Sequence, residues 1–373
     1  MIGLELICLF ITWAYCVIQL ALIRQLLNAD KINLSPIQES PEISILIPAR
    51  NESENIVACL QSIQQLNYPL DKIFVLVGDD ASNDDTYAKA LNFSTQFPRF
   101  KCIKIEKKHG LARAKANVIA DLMQYVESEF VFVTDADIQV NPNWIQSLLP
   151  YFKEASLISG ATIVKPNSLF AAMQSFEWIQ GFSNLFAFEK LGIQSTAVGN
   201  NMAFTKSAYF ACGGYEAIPF SVTEDLALTQ AFREKNLKII NIASPGAAHE
   251  SAAQQHLINL LHQRKRWLIG AKALPFKWKL IFMLQGLFLP AFCFLMITHL
   301  KLALVVLLAK WTLQFVQMAL YNRLIEFKLK WSHFPLFLIY QELVILATVL
   351  FYVLPFKMNW KQRKYSIHNE PIN

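Results

Sequence analysis

Hydrophobic and polar positions divide this chain into stretches of different character. Residues 2–23 are almost uncharged, with Glu5 the exception, and are long enough to cross a bilayer core. They lack the basic start and small-residue cleavage site of a signal peptide, so they read as an uncleaved anchor. From about residue 278 the chain turns apolar again: 280–300, 302–321 and 334–354 are each near spanning length, interrupted mainly by Pro290 and Lys310. Between these parts, short β-branched runs alternate with helical patterns. The organisation expected is an anchor at 1–26, a soluble domain at 41–270, transmembrane or interfacial helices at 278–356 and a basic tail at 357–373.

Within the soluble segment, 43–48, 73–77, 101–106 and 130–134 read as strands. Helices are expected to start in Asn51-Glu52-Ser53-Glu54-Asn55, to carry Ala88, Leu91 and Phe93, and to cover 112–126. This alternation predicts an α/β domain with a mostly parallel sheet covered on both faces. Ligands of such sheets bind outside the carboxyl ends of the strands. The polar residues fall there: Arg50 and Glu52 after the first strand, Asp79 and Asp80 after the second, Asp135 and Asp137 after the 130–134 strand. Two carboxylates one residue apart repel unless something compensates them. One reading is an oxygen-liganded Mg²⁺ or Mn²⁺ carrying a diphosphate; the other is an acidic turn ahead of Asn141-Pro142. Convergence of acids from several strands favours a site over solvated decoration.

Composition sharpens the membrane reading. Of 373 residues, 54% are hydrophobic and 13% aromatic, and the mean hydropathy of +0.31 is too high for an ordinary soluble chain. The net charge is +6 and the pI about 8.9, but the basic residues cluster beside apolar segments. Anionic headgroups account for them better than nucleic acid does. Arg24 and Lys31 follow the first span, which places the soluble domain in the cytoplasm. Three further crossings then leave the tail outside, although Lys357, Lys361, Arg363 and Lys364 favour the inside, as do Arg323, Lys328 and Lys330 in the preceding loop. One apolar stretch is therefore expected to be re-entrant or interfacial, with the Pro290-broken one the first candidate; Lys310 is expected to snorkel. Six scattered cysteines without a C-x-x-C pair imply a reducing compartment and no metal role.

Five motifs in order resemble the membrane-bound family 2 glycosyltransferases, the group of the cellulose, hyaluronan and ceramide glucosyl transferases. They are Ser44-Ile45-Leu46-Ile47-Pro48-Ala49-Arg50-Asn51-Glu52, Asp79-Asp80-Ala81-Ser82-Asn83-Asp84, Asp135-Ala136-Asp137, Thr223-Glu224-Asp225 and Gln263-Arg264-Lys265-Arg266-Trp267. The resemblance covers about residues 43–270. It implies the nucleotide-diphospho-sugar transferase (GT-A type) fold flanked by transmembrane helices, and inverting transfer of a sugar to a hydroxyl of a membrane lipid or glycan acceptor. A processive polysaccharide synthase is the alternative. The expected location is a bacterial inner membrane, with the catalytic domain cytoplasmic.

The resemblance also implies roles. Pro48, Arg50, Glu52, Asp79, Asp80, Lys115 and Asp135 would bind the nucleotide-sugar donor. A carboxylate at Asp79 or Asp80 can accept from a uracil N–H, consistent with a UDP-sugar. Asp137, with Asp135 beside it, would ligate the divalent cation. Lys115 sits in a context that departs from the family pattern, so a helix-surface lysine is the competing reading. Asp225, next to Glu224, is the expected general base, because inverting displacement needs a carboxylate away from the diphosphate. The two side chains are expected to point apart, and the pair also suits a helix N-terminus opening at 226–235. Gln263, Arg266 and Trp267 would meet acceptor and diphosphate; alone they read as an interfacial basic helix. His249 is a third candidate metal ligand or a loop hydrogen-bonder. Gly199-Asn200-Asn201 resembles an acceptor-side loop, and Trp178, Phe182 and Phe186 form a helical stripe that reads as buried or membrane-facing.

Overall fold

The computed structural model describes residues 2–30, 40–193, 196–354, 358–360, 363–365 and 371–372. The chain forms two compact units, each assembled from separate segments: Met1–Asp30, Pro166–Ser195 and Gln254–Phe356 in one, Lys31–Lys165, Thr196–Ala253 and Lys357–Asn373 in the other.

The second unit is built on strands. In chain order they are β1 (Ile43–Ala49), β2 (Ile73–Asp79), β3 (Phe100–Lys104), β4 (Phe130–Thr134), β5 (Ile138–Gln139), β6 (Leu157–Ser159), β7 (Ala161–Val164), β8 (Asn201–Thr205), β9 (Ile239–Asn241) and β10 (Ala248–Ser251). Seven make one sheet in the order β3-β2-β1-β4-β8-β6-β9, in which β8 alone runs against its neighbours. The sheet is thus mostly parallel, as the alternating pattern predicts. β5, β10 and β7 form a smaller sheet. Met358–Trp360, Arg363–Tyr365 and Pro371–Ile372 pair in a third.

β1 is buried along its whole length because both faces are covered. Ile43, Ile45 and Ile47 pack with Ile56 and Ile63 of the helix Ile56–Gln64 and with Trp144, while Leu46 packs with Val118, Ile119 and Leu122 of the helix Ala114–Met123. Helix and strand come so close at Gly78 that a Cβ there would lie 2.5 Å from Val118 Cγ1. Asn51–Asn55, read as a helix start, leads through a turn into the helix Ile56–Gln64, with Asn55 at its N-cap. Asn51 takes a left-handed φ of 52°, which asparagine tolerates, and the helix begins only at Ile56.

The first unit is helical. Among the described residues, Gly3–Leu27, Phe276–Thr298, Leu300–Ile325 and Trp331–Val353 are long and apolar enough to cross a membrane. Pro290 does not break its segment: Phe276–Thr298 is one helix with the proline inside it, and the chain turns at His299. Neighbouring membrane helices can re-satisfy the carbonyl a proline frees. The helix Leu169–Lys190 belongs to this unit and buries Phe182 and Phe186.

Lys310 does not snorkel. Its ammonium pairs with Glu342 and lies 4.6 Å over the Phe288 ring, with 7% of the side chain exposed. An ion pair inside an apolar bundle satisfies both charges only together. Lys310→Leu is therefore expected to cost about 3 kcal/mol by stranding Glu342, and Lys310→Leu/Glu342→Leu to regain most of it. Unfolding of the full chain in detergent checks this; a double variant no more stable than the single one contradicts it.

Candidate functional site

The strand unit brings four chemically useful groups to the carboxyl end of β4. Asp135 follows β4 directly. Lys115 lies in the first turn of the helix Ala114–Met123, and its ammonium contacts Asp135 Oδ1 at 2.6 Å and Glu224 Oε1 at 2.9 Å. It also donates to the Gly199 carbonyl at 3.4 Å. Lys115 thus joins the acids of this cluster and is not a solvated helix-surface lysine. Burial alone would pull its ammonium down, but Asp135 and Glu224 hold it well above the usual lysine range.

Glu224 and Asp225 open the helix Glu224–Glu234, two residues earlier than the sequence pattern suggests. Asp225 Oδ2 accepts from the Gly199 N–H at 2.9 Å and Oδ1 from its neighbour Leu226 N–H at 2.8 Å. The two side chains do not diverge to unrelated surroundings. A Cβ at Gly199 would lie 3.0 Å from Asp225 Cβ, 3.2 Å from Glu224 Oε1 and 3.2 Å from Lys115 Nζ, so both acids border one glycine. Thr223 supplies no side-chain cap to this helix. Burial, and then the Glu224 charge, push the Asp225 carboxyl up; Lys115 and the two N–H groups oppose them.

The loop after β2 packs against the end of β1. Asp79 is buried; its Oδ2 accepts from the Ser82 N–H at 3.2 Å, while Oδ1 has no partner. Asp80 N–H returns to the Ala49 carbonyl at 2.9 Å. Arg50 donates to the Asp80 carbonyl and, at 3.1 Å, to that of Ala81, so its observed role is to brace this loop. Glu52 is buried; its Oε2 accepts from Asn55 and its own N–H donates to Thr86. Pro48 stands opposite Gly78 within the sheet.

Asp135 and Asp137 flank the buried Ala136 and are half-exposed. Both charges reach Cys59, whose thiol is pushed up first by burial and then by Asp137 and Asp135. A Mg²⁺ or Mn²⁺ that keeps waters and phosphate oxygens needs only one or two carboxylates, and this pair fits that demand. His249 does not join it. In the paired strands His249 precedes Glu250, which stands opposite Gln139, two residues beyond Asp137. Its ring is fully buried against the Trp144 edge at 4.7 Å, and burial pushes it down to about 3, the nearby Asn200 backbone opposing. No group of three metal-ligating side chains occurs among the described residues.

Gln263, Arg266 and Trp267 lie in the helical unit, on the helix Leu257–Ala271. The arginine that holds this motif together is Arg264, which sequence reasoning passed over. It pairs with Glu177 at 2.7 Å, donates to Gln263 Oε1 at 3.2 Å and stacks 4.1 Å over Trp267. Trp267 also meets the edge of Trp178 at 5.6 Å. Arg264 sits three positions before Trp267, the spacing of facing helix neighbours, and that signal could have found it. Asn201, read in the sequence as part of an acceptor-side loop, ties Trp144 to the carbonyls of Ala161 and Ala247.

Comparisons with known proteins agree with this architecture. A family model described as Glycosyl transferase family 21 matches residues 5–372. Beta-monoglucosyldiacylglycerol synthase from Synechocystis sp. is 27% identical over 238 residues, 62% of this chain and 48% of that one. Poly-beta-1,6-N-acetyl-D-glucosamine synthase from Staphylococcus epidermidis is 25% identical over 248 residues, 65% of this chain and 58% of that one. The chain spans about half the length of the first of these relatives. Among solved structures, the mannosyltransferase PcManGT from Pyrobaculum calidifontis, in complex with GDP-Man and Mn²⁺, matches with a TM-score of 0.57 at 16% identity over 94% of each chain. The shared fold is GT-A.

Proposed function

The chain belongs to glycosyl transferase family 21, and from that premise we propose that it moves a single hexosyl unit from a UDP-sugar to a hydroxyl of a membrane lipid, with inversion. The observation that carries this reading is the carboxylate of Asp225. It is pinned by two backbone N–H groups and raised by burial, beside a separate cluster in which Lys115 joins Asp135 and Glu224. Asp225 accepts from the Gly199 N–H and Lys115 donates to the Gly199 carbonyl, so the proposed base and the fixed cation share one backbone residue. The acceptor hydroxyl loses its proton to Asp225 as its oxygen bonds the anomeric carbon and the bond to the nucleotide diphosphate breaks. Raising the carboxyl brings it closer to the working pH and improves it as a base.

On the donor side, the buried, unpartnered Asp79 Oδ1 suits a uracil N–H. Asp137 and Asp135 would hold a divalent cation, which supplies charge neutralisation of the departing diphosphate. Lys115 adds a fixed cation there. Gln263, Arg266 and Trp267 are assigned to acceptor and diphosphate by the family pattern. Support for a lipid acceptor comes from the relative named for monoglucosyldiacylglycerol synthesis and from four helices of spanning character. The catalytic unit is assigned to the cytoplasmic side of a bacterial inner membrane.

The test is to incubate the detergent-purified full chain with a panel of nucleotide sugars and a native lipid extract, then identify products by mass. A lipid monoglycoside formed from a UDP-sugar is the expected product. A polymer ladder would overturn single transfer in favour of a polysaccharide synthase, and a product from GDP-sugars alone would overturn the donor.

A further inference from the structure

The turn that carries Gly199 is held by side-chain hydroxyls from a helix and three strands. Thr229, on the helix Glu224–Glu234, accepts from the Ala197 N–H at 3.1 Å. Ser159 of β6 accepts from the Val198 N–H at 3.0 Å and donates to the Asn201 carbonyl at 3.1 Å. Thr134 of β4 donates to the Asn200 carbonyl at 3.1 Å, and Thr162 of β7 to the Asn200 side-chain oxygen at 2.9 Å. Thr134, Ser159, Thr162 and Thr229 are all fully buried. Bonds of this kind hold the backbone firmly, because breaking one strands both partners away from solvent.

Thr229 differs from the other three in what it joins. Its hydroxyl has one proton and two lone pairs. The proton goes to the Asp225 carbonyl at 2.7 Å, the back-bond to the residue four before it that threonine makes within helices. One lone pair takes the Ala197 N–H, and the Thr196 hydroxyl stands 3.5 Å away on the other side. A single oxygen therefore ties the main chain of Asp225 to the turn, and the turn sends its Gly199 N–H back to Asp225 Oδ2 at 2.9 Å. Thr229, the turn and the Asp225 carboxylate form a closed ring of hydrogen bonds.

The charges around Asp225 give that ring its consequence. Glu224 repels the carboxylate, Lys115 attracts it, and the buried Tyr215 phenol lies within electrostatic reach. The Gly199 and Leu226 N–H groups both favour the ionised form. Leu226 is the next residue of the same helix, so its N–H comes with the helix itself. The Gly199 N–H comes from a separate turn and depends on what holds that turn.

We propose that Thr229 is a positioning residue: its hydroxyl fastens the Gly199 turn to the start of its own helix and so holds the Asp225 carboxylate in its working orientation. This role rests on the assignment of Asp225 as the general base. Thr229 is buried and acts through Gly199, not on a substrate.

The test compares Thr229→Val, which keeps the branched shape and removes the hydroxyl, with Thr229→Ser, which keeps the hydroxyl. Thr229→Ala, measured alongside, removes the same hydroxyl without a methyl in its place. Elution of each full-length variant as a single folded species is the control. Hydrogen exchange of residues 196–201 is expected to quicken about tenfold in Thr229→Val and Thr229→Ala and to keep the wild-type rate in Thr229→Ser. In the two hydroxyl-free variants kcat should fall about tenfold, with the donor KM changed by less than about twofold. The acid limb of the pH profile is a readout that a merely structural role would not move. Loss of the Gly199 N–H disfavours the ionised carboxylate, so the limb should rise by about one pH unit in Thr229→Val and stay in place in Thr229→Ser. In an Asp225→Asn background, Thr229→Val should cost no further turnover.

Unaltered exchange would overturn the role. So would an unmoved acid limb, or equal losses in Thr229→Ser, where Asp225→Asn is itself impaired. The base and its positioning fail separately. Full turnover by Asp225→Asn would remove the base, while quickened exchange would still uphold Thr229 as the holder of the turn. An impaired Asp225→Asn beside unaltered exchange in Thr229→Val would remove Thr229 alone.

Discussion

Asp225→Asn is expected to lower kcat by about 10³-fold, within the range that general bases contribute, with donor affinity changed by less than about twofold. Asn preserves the size of the side chain and one oxygen for the Gly199 or Leu226 N–H. It removes the lone pair that takes the acceptor proton. The pH profile gives a second readout. Burial and Glu224 raise the Asp225 carboxyl, and the ionised form is the active one. Wild-type activity should therefore fall as pH drops through a value above the ordinary aspartate pKa of about 3.9. In the variant that acid limb should vanish along with the rate. Undiminished turnover, or an unchanged acid limb in the residual activity, would remove Asp225 as the base.

Withdrawal of divalent cations by a chelator is expected to stop transfer while leaving thermal unfolding in place. The reason is Lys115, whose ammonium already compensates Asp135 and Glu224 at 2.6 and 2.9 Å. The fold does not depend on a second cation for that purpose, although the departing diphosphate does. Lys115→Met should reverse the relation. Two acids are then left facing each other, which costs on the order of 2 kcal/mol for partly exposed groups, and added Mn²⁺ should restore part of the lost stability. Unfolding midpoints with and without chelator, for both proteins, check this. Transfer that survives chelation would contradict the metal assignment, and a wild-type midpoint that collapses on chelation would contradict the role given to Lys115.

Legibility in the sequence followed the physical origin of each element. β1, β2 and β4 are continuous apolar runs because they are covered on both faces, and their pattern located them within about two residues. β5, β6, β7, β9 and β10 have only two to four residues, too few to show a period. The helix Leu169–Lys190 was half visible. Its Trp178, Phe182 and Phe186 stripe stood out, but it buries residues around most of its circumference, so no single polar face marked its ends. The start of the helix Ile56–Gln64 was legible in Asn51–Asn55, whereas the left-handed Asn51 ahead of it was not.

The motif acids stood out because their order in the chain carries the family pattern, and an α/β sheet delivers strand ends to one edge. What holds them was not. The N–H of Gly199 fixes Asp225, and a backbone donor has no residue identity to read. His249 was a candidate ligand or a loop hydrogen-bonder by type and position, and its fully buried ring packs against Trp144. Lys310 looked like a snorkelling lysine; its partner Glu342 is 32 positions away and becomes visible only when two helices pack.

By itself, then, the sequence determined the fold class and the membrane character, since these depend on composition, period and motif order along one dimension. Tertiary structure alone decided which groups meet. Lys115 belongs to both acids, Arg264 organises Trp267, and Lys310 meets Glu342 across two helices. Contacts between distant residues arise from packing in three dimensions, and no local pattern in the chain encodes them.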